Sequence, residues 1–181
     1  MQEIEIEKRF LITDWNKTNK HFVSTSETEM KDVYIPNGDA HKDLRLRRKG
    51  DSYMVTRKRP VQEGEKLVMK ETTIELSQEE FDALSAGVES TVTKTRLKGS
   101  FEGLPAEVDV FKDRHFGLSV IEFEFKDMAA YKAFQAKNSL DKSFIDITED
   151  ESLAGGRLAE YSRLQLKELL KVRYNAPLYD F

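Results

Sequence analysis

Charged residues recur at every second position in one extended stretch of this chain after another, with apolar residues between them. The opening stretch sets the pattern. Glu3, Glu5, Glu7 and Arg9 share one strand face, and Ile4, Ile6, Lys8 and Phe10 share the other. Neighbours on one face stand about 6.5–7 Å apart, so three carboxylates in a row repel unless cations sit among them. The pattern returns at Arg45 and Arg47, at Thr56 and Lys58, and at Glu71, Thr73 and Glu75. It returns again at Lys94 and Arg96, Glu107 and Asp109, and Glu122 and Glu124. A sheet packed on one side has a polar face of scattered character, whereas here several strands carry one sign only.

Two arrangements accommodate such a sheet. In one, the charged face is solvated and laced with cross-strand salt bridges. In the other, the sheet closes on itself with the charged face inward and the apolar face outward against helices. Closure removes the exposed edges, and a barrel of about eight strands has room inside for side chains or one small ligand. Charges buried there cost several kcal/mol each unless paired or bound, by the usual ~several-kcal/mol desolvation penalty. Paired carboxylates suit Mg²⁺ or Mn²⁺, and Arg and Lys suit phosphate oxygens, so together they suit a metal-bound polyphosphate.

Turn and cap signals divide the chain. Thr13 and Asp14 predict a short helix toward Lys20, and Val23–Met30 reads as loop or the approach to a strand at Lys31–Ile35. Pro36–Asp39 is a turn signal; Asp43–Lys49 and Ser52–Lys58 form a hairpin across Gly50-Asp51. Residues from Pro60 to Lys66 are loop, and Leu67–Leu76 is a strand. Ser77 with Glu80 is a capping box for a helix ending near Gly87. Strands follow at Thr91–Lys98, Ala106–Phe111 and Leu118–Phe125, the first two joined through Gly99–Pro105. Asp127 caps a helix with the stripe Met128, Tyr131 and Phe134. Thr148 with Glu151 is read as a capping box for a last helix, broken at Gly155-Gly156 and resuming through Lys171. The expected class is α+β, built on a mostly hairpin-ordered antiparallel sheet.

The 181 residues suit one domain, over residues 1–173, with a tail of 174–181. A net charge of −4 argues against a general nucleic-acid binder, and no specific nucleic acid is expected. The absence of cysteine excludes disulfides, thiolate nucleophiles and Cys-based zinc sites. With a charged strand at the start and no apolar run near the ~20 residues of a membrane helix, the expectation is a cytoplasmic protein without a membrane partner.

The residues that alternate also resemble a known family, the CYTH domains or triphosphate tunnel metalloenzymes. Glu5-Ile6-Glu7-Lys8-Arg9 resembles the family's N-terminal Glu-x-Glu-x-Lys strand, with Arg9 at the lysine position. Leu44-Arg45-Leu46-Arg47, Thr56-Arg57-Lys58, Glu71 and Lys94-Thr95-Arg96 follow in the family's order. Glu107–Phe111, Ile121–Phe125 and Asp146–Asp150 complete it, over roughly residues 1–160. The resemblance implies a closed eight-stranded antiparallel β-barrel, a tunnel with a charged interior flanked by helices. It implies metal-dependent hydrolysis of inorganic tripolyphosphate or a related organic triphosphate, with Mg²⁺ or Mn²⁺ as cofactor. Cyclisation of ATP and non-catalytic polyphosphate or nucleotide binding are the alternatives.

By the same resemblance, Glu5, Glu7, Glu122 and Glu124 hold the metal, with Asp109 and Glu71 in support. Arg45, Arg47, Lys58, Lys94 and Arg96 bind phosphate, and Arg9 replaces the signature lysine. Three departures stand out. Arg9 is larger and planar. Thr73 occupies a second glutamate's place, for which Glu75 is the substitute. The basic residue before the last helix is missing, and Arg157 is its substitute. His21, His41 and His115 read as surface residues, as do Arg48, Lys49, Arg57 and Arg59 and the late basic residues Arg163, Lys167 and Lys171. Trp15, Tyr131 and Phe134 read as helix packing.

Overall fold

The computed structural model of the chain describes residues 1–36, 43–137 and 140–178. The turn signal at 37–39, His41 and the end of the tail lie outside them. Among the described residues the sheet runs β1 (Gln2–Ile12), β2 (Phe22–Tyr34), β3 (Leu44–Lys49), β4 (Ser52–Pro60), β5 (Val68–Leu76), β6 (Thr91–Phe101), β7 (Leu104–Phe111), β8 (Ser119–Phe125) and β9 (Phe144–Asp146). The helices are α1 (Trp15–His21), α2 (Gln78–Ser85), α3 (Met128–Lys137), α4 (Gly155–Leu158) and α5 (Arg163–Tyr174).

The spatial order is β5-β4-β3-β2-β6-β7-β8-β1, and β1 also pairs with β5, so eight antiparallel strands close a barrel. β1 closes it by dividing its length. Gln2–Ile6 pairs with β5, Ile6–Leu11 with β8, and Phe10–Ile12 with the short β9. The register places Lys58 opposite Glu71, Arg96 opposite Asp109, Arg9 opposite Glu122 and Glu7 opposite Glu124.

Parity decides what lies inside. Toward the β1 N-terminus the inner face is charged. Toward its C-terminus the same face turns apolar, at Leu11, Val92, Phe111 and Val120, and these pack with Leu153, Leu158, Leu166 and Leu170. The interior is therefore not charged throughout, and α4 and α5 stand across one end. On the outer face Phe10, Ile121 and Phe123 pack with Phe134 of α3, and Val33 and Leu46 with Phe81 of α2. Burying each such side chain contributes about 1.5–3 kcal/mol. Helices do not cover the whole outer face: Ile4 and Ile74 stay more than half exposed.

Several expectations change. Val23–Met30 is strand, because its alternation of Ser, Thr and Glu pairs β2 with β6 along its whole length, with a bulge between Ser24 and Ser26. The β6–β7 hairpin is tighter than read, since Glu102 and Gly103 both take positive φ (49° and 81°), the geometry of a two-residue hairpin turn. Thr148 and Glu151 do not form a capping box. The Thr148 hydroxyl donates to Asp146 Oδ1 (2.6 Å) and accepts from the Arg9 backbone N–H (3.1 Å). Asp150 instead caps a single 3₁₀ turn, Glu151–Leu153, and the capping box lies at Ser162 and Gln165, opening α5. The break between α4 and α5 falls after Gly155-Gly156, not at it. His115 is buried, not on the surface: its Nε2 lies 2.6 Å from the Leu158 carbonyl. The segment after α5 is non-helical, and Ala176 and Leu178 pack into the core.

Candidate active site

A cavity of about 290 Å³ occupies the charged part of the barrel. Glu5, Glu7 and Arg9 reach it from β1, Arg45 and Arg47 from β3, and Lys58 and Glu71 from β4 and β5. Lys94 and Arg96 reach it from β6, and Glu122 and Glu124 from β8. β1, β3, β6 and β8 each contribute residues two apart, because inward positions recur with period two. Asp109 lies behind this lining, buried beneath Lys94 and Arg96. A second cavity, of about 400 Å³, adjoins the first through Glu7, Arg9, Tyr34, Arg45, Lys58 and Gly155, and Arg157 lines this one alone. Glu75 is exposed and lines neither, whereas Thr73 hydrogen-bonds toward Glu71 (3.4 Å). Lys49, read as solvated, lines the lumen.

The charges form three groups. In the first, Arg96 binds Asp109 through Nε and Nη2 (both 2.7 Å), Glu107 through Nη1 (2.5 Å) and Glu122 through Nη2 (2.6 Å). Arg9 reaches the other Glu122 oxygen at 3.0 Å, and Lys94 also contacts Asp109. Burial pushes the Glu122 carboxyl up, but Arg96 and Arg9 outweigh it and hold the group well below the carboxylate range. Lys94 moves the other way: burial, with Arg96 beside it, pushes it down to about 8.

In the second group Lys58 Nζ bridges Glu5 (2.7 Å) and Glu7 (2.8 Å). Burial lowers the ammonium's proton affinity, but Glu7 and Glu5 more than restore it. Glu124 stands nearby with too little cation. Burial, then Glu5, Glu107 and Glu7, raise its pKa above the ordinary value.

The third group was not visible in the alternation. Asp32 of β2 is buried and binds Arg47 through both oxygens, Nε at 2.6 Å and Nη2 at 2.7 Å. Arg45 lies 3.9 Å from Asp32 and 3.3 Å from Glu71. Tyr34, two residues on, packs its hydroxyl against Gly155, where a Cβ would collide with it.

The lumen carboxylates supply hard oxygen donors, the set that Mg²⁺ and Mn²⁺ take. Among the described residues no three carboxylate or imidazole groups converge as they stand; ammonium and guanidinium groups hold them instead.

This arrangement can be set against known proteins. The family model of the CYTH domain matches residues 3–148. The chain belongs to the CYTH domain family. Among solved structures, the inorganic triphosphatase NE1496 shares the fold at a TM-score of 0.59 and 24% identity, over 87% of this chain and 95% of its own. Another structure of NE1496 gives the same TM-score at 26% identity, covering 87% and 99%. A candidate adenylate cyclase, bh2851 from Bacillus halodurans, gives 0.57 at 21% identity over 75% and 88%. No curated protein sequence matches the chain. Among the described residues no helix is long and apolar enough to cross a membrane.

Proposed function

We propose that this CYTH domain hydrolyses a triphosphate inside the barrel, with a divalent cation, Mg²⁺ or Mn²⁺, as cofactor and inorganic tripolyphosphate as the first substrate to test. The observation that carries the reading is the charge balance of the lumen. Eight cationic and eight anionic side chains line the same cavity, so a polyanion that enters needs a cation of its own. Glu5, Glu7 and Glu124 are the carboxylates best placed to hold it, since Glu122 and Asp109 are already taken by Arg96, Arg9 and Lys94. The likeness in fold to an inorganic triphosphatase supports the same reading.

A bound divalent cation would polarise a phosphoryl oxygen and offset charge that develops in the transferred group. The chain's own residues do the rest. Arg45, Arg47, Lys94, Arg96 and Arg9 orient the phosphate chain and stabilise its equatorial oxygens. Glu5 and Glu7 would hold the cation, and Lys58, now between them, would then pair with a phosphate oxygen. Glu71, 3.3 Å from Arg45, restrains that guanidinium. Water in the lumen is the nucleophile: its oxygen bonds the terminal phosphorus as the bridging P–O bond breaks, its proton passes to a lumen carboxylate, and orthophosphate and pyrophosphate leave, so no covalent nucleophile is required.

A second reading, cyclisation of ATP with release of pyrophosphate, draws on the adjoining 400 Å³ cavity, whose Tyr34, Pro60, Met69 and Ala154 offer apolar surface to a nucleoside. One assay separates the two. Purified protein is given Mg²⁺ or Mn²⁺ with tripolyphosphate, ATP or thiamine triphosphate in turn. Orthophosphate release supports the first reading, and cyclic AMP with pyrophosphate the second. Metal-dependent turnover that survives Glu5→Gln with Glu7→Gln would refute the site assignment.

A further inference from the structure

We propose that Asp32 is a positioning residue that divides the work of the two β3 arginines. It fixes Arg47 by gripping one edge of its guanidinium, and it leaves Arg45, which it does not hold, as the guanidinium that adjusts to the phosphate chain. The proposal rests on the reading of the lumen as a triphosphate site.

A carboxylate that accepts from Nε and Nη2 of one arginine uses a full edge of that planar group and locks its orientation. Arg47 can then offer only its remaining edge. Arg45 is two residues along on the same strand, and Asp32 stands 3.9 Å from its Nε, beyond hydrogen-bond range. That Nε–H is buried and has no acceptor. A buried donor left unsatisfied is costly, and here it belongs to a side chain that lines both cavities. That Nε–H is closed off from the lumen, so phosphate meets Arg45 at its Nη groups, and this guanidinium is held less firmly than that of Arg47. Asp32 itself is 3% exposed and does not share a strand with either arginine. The β2–β3 register sets it opposite Arg47, with Tyr34 opposite Arg45. Asp32 lies at the cavity wall with both carboxylate oxygens on Arg47, so its hold on the substrate runs through that guanidinium.

The geometry separates this role from a purely structural one. Asp32→Asn keeps the side-chain shape, removes the charge and cannot satisfy both Arg47 donors. Its loss leaves the pocket more positive, so a role in charge balance alone would tighten tripolyphosphate binding and spare kcat. A positioning role predicts the opposite split. kcat for tripolyphosphate falls on the order of 10–100-fold while KM does not rise, because the guanidinia still attract the substrate but no longer meet its transition state. Asp32→Glu keeps the charge and shifts the oxygens by a methylene, and its kcat falls between the two. If Asp32→Asn does not fold, Asp32→Glu decides alone: kcat several-fold below wild type supports the proposal, and wild-type kcat overturns it. A folded Asp32→Asn enzyme with unchanged kcat also overturns it.

The arginine Nε–H signals in a ¹H–¹⁵N spectrum test the contact independently of turnover. The Arg47 signal is protected in the wild type and exchange-broadened in Asp32→Asn, and tripolyphosphate shifts the Arg45 signal. Wild-type protein that fails to turn over any triphosphate, yet shows both signatures, sinks the hydrolase reading and leaves the Asp32 assignment standing. An Arg45 signal unmoved by bound tripolyphosphate sinks the assignment.

Discussion

Glu122 and Glu124 lie two residues apart on the same face of the same strand, and they titrate in opposite directions. Arg96 and Arg9 overcome burial at Glu122 and hold it well below the carboxylate range. At Glu124, burial and three nearby glutamates act together and raise it. The lumen therefore has two halves. One is a completed salt-bridge network, in which Arg96 ties β6 to β7 and β8, and Arg9 closes it onto β1. The other is a carboxylate cluster with Lys58 as its bridging cation. A network whose charges are satisfied holds geometry. A cluster with surplus negative charge is the half that suits an added cation, while the network keeps Arg96, Arg9 and Lys94 fixed against the cavity they line.

The most damaging way to break this contrast is Arg96→Ala. It strips Asp109, Glu122 and Glu107 of their shared partner and leaves buried charge uncompensated. Denaturant unfolding should show a loss of about 3–5 kcal/mol, enough to unfold much of the population. A loss below about 1 kcal/mol would place Arg96 with ordinary surface ion pairs and remove the distinction.

Glu124→Gln tests the other half and should separate activity from stability. Metal-dependent turnover is expected to fall on the order of 100-fold, near 2.7 kcal/mol of lost transition-state stabilisation. Stability at pH 7 should hold or improve slightly. The sign follows from the raised pKa: the folded state holds this proton more tightly than the unfolded chain does. Ionising Glu124 therefore weakens the fold as pH rises through the carboxylate range. Removing the group removes that loss. Glu122→Gln should behave in the contrary sense, discarding stability that the wild type loses only at low pH, as pH falls through the depressed value. Melting curves from pH 3 to 8 would show the two variants diverging.

Beside both halves, α4 meets the third group, and Gly155 marks the contact. A methyl group there runs into the Tyr34 hydroxyl. Gly155→Ala should cost about 1–2 kcal/mol through overpacking. Tyr34→Phe in the same chain should recover part of it, because it removes the oxygen that collides. No recovery in the double variant would mean that the strain falls on the backbone of α4 instead.

Much of this was legible in the sequence, for a physical reason. A charge at every second position is unusual on a solvated strand and necessary in a polar lumen. Glu5, Glu7, Arg45, Arg47, Lys58, Lys94, Arg96, Glu122 and Glu124 could therefore be found from parity, and all of them line the cavity. Asp32 escaped because it is the lone charge on its face, between Met30 and Tyr34, in a strand whose Ser, Thr and Glu residues give no apolar contrast. Its partner is set by the β2–β3 register, which sequence spacing does not encode. His115 and Thr148 escaped for a similar reason: each is defined by a contact distant in sequence, with the Leu158 carbonyl and with the Arg9 backbone. The apolar turn of the inner face at Leu11, Val92, Phe111 and Val120 was present as letters, but only the packing of α4 and α5 gives those residues a partner.

Lys94 sits at the border of the two halves, and its titration gives the finest test. Burial, then Arg96, push its ammonium down to about 8, so it is charged at pH 7 and largely neutral at pH 9.5. Two consequences of opposite sign follow. The folded state favours the neutral amine, so stability gains from this group as pH rises from about 8 toward the ordinary lysine value. Anion binding loses a charge-assisted hydrogen bond over the same interval, so tripolyphosphate should bind the metal-free protein about five- to tenfold more weakly at pH 9.5. The arginines keep their charge throughout and contribute no step. Lys94→Met leaves Asp109 held by both Arg96 contacts, so the barrel should survive it. Calorimetric titration at the two pH values should then show the step in the wild type and a smaller one in Lys94→Met, which also corrects for ionisation of the ligand itself. An equal step in both proteins would confine Lys94 to its contact with Asp109 and leave ligand binding to the guanidinium groups and Lys58.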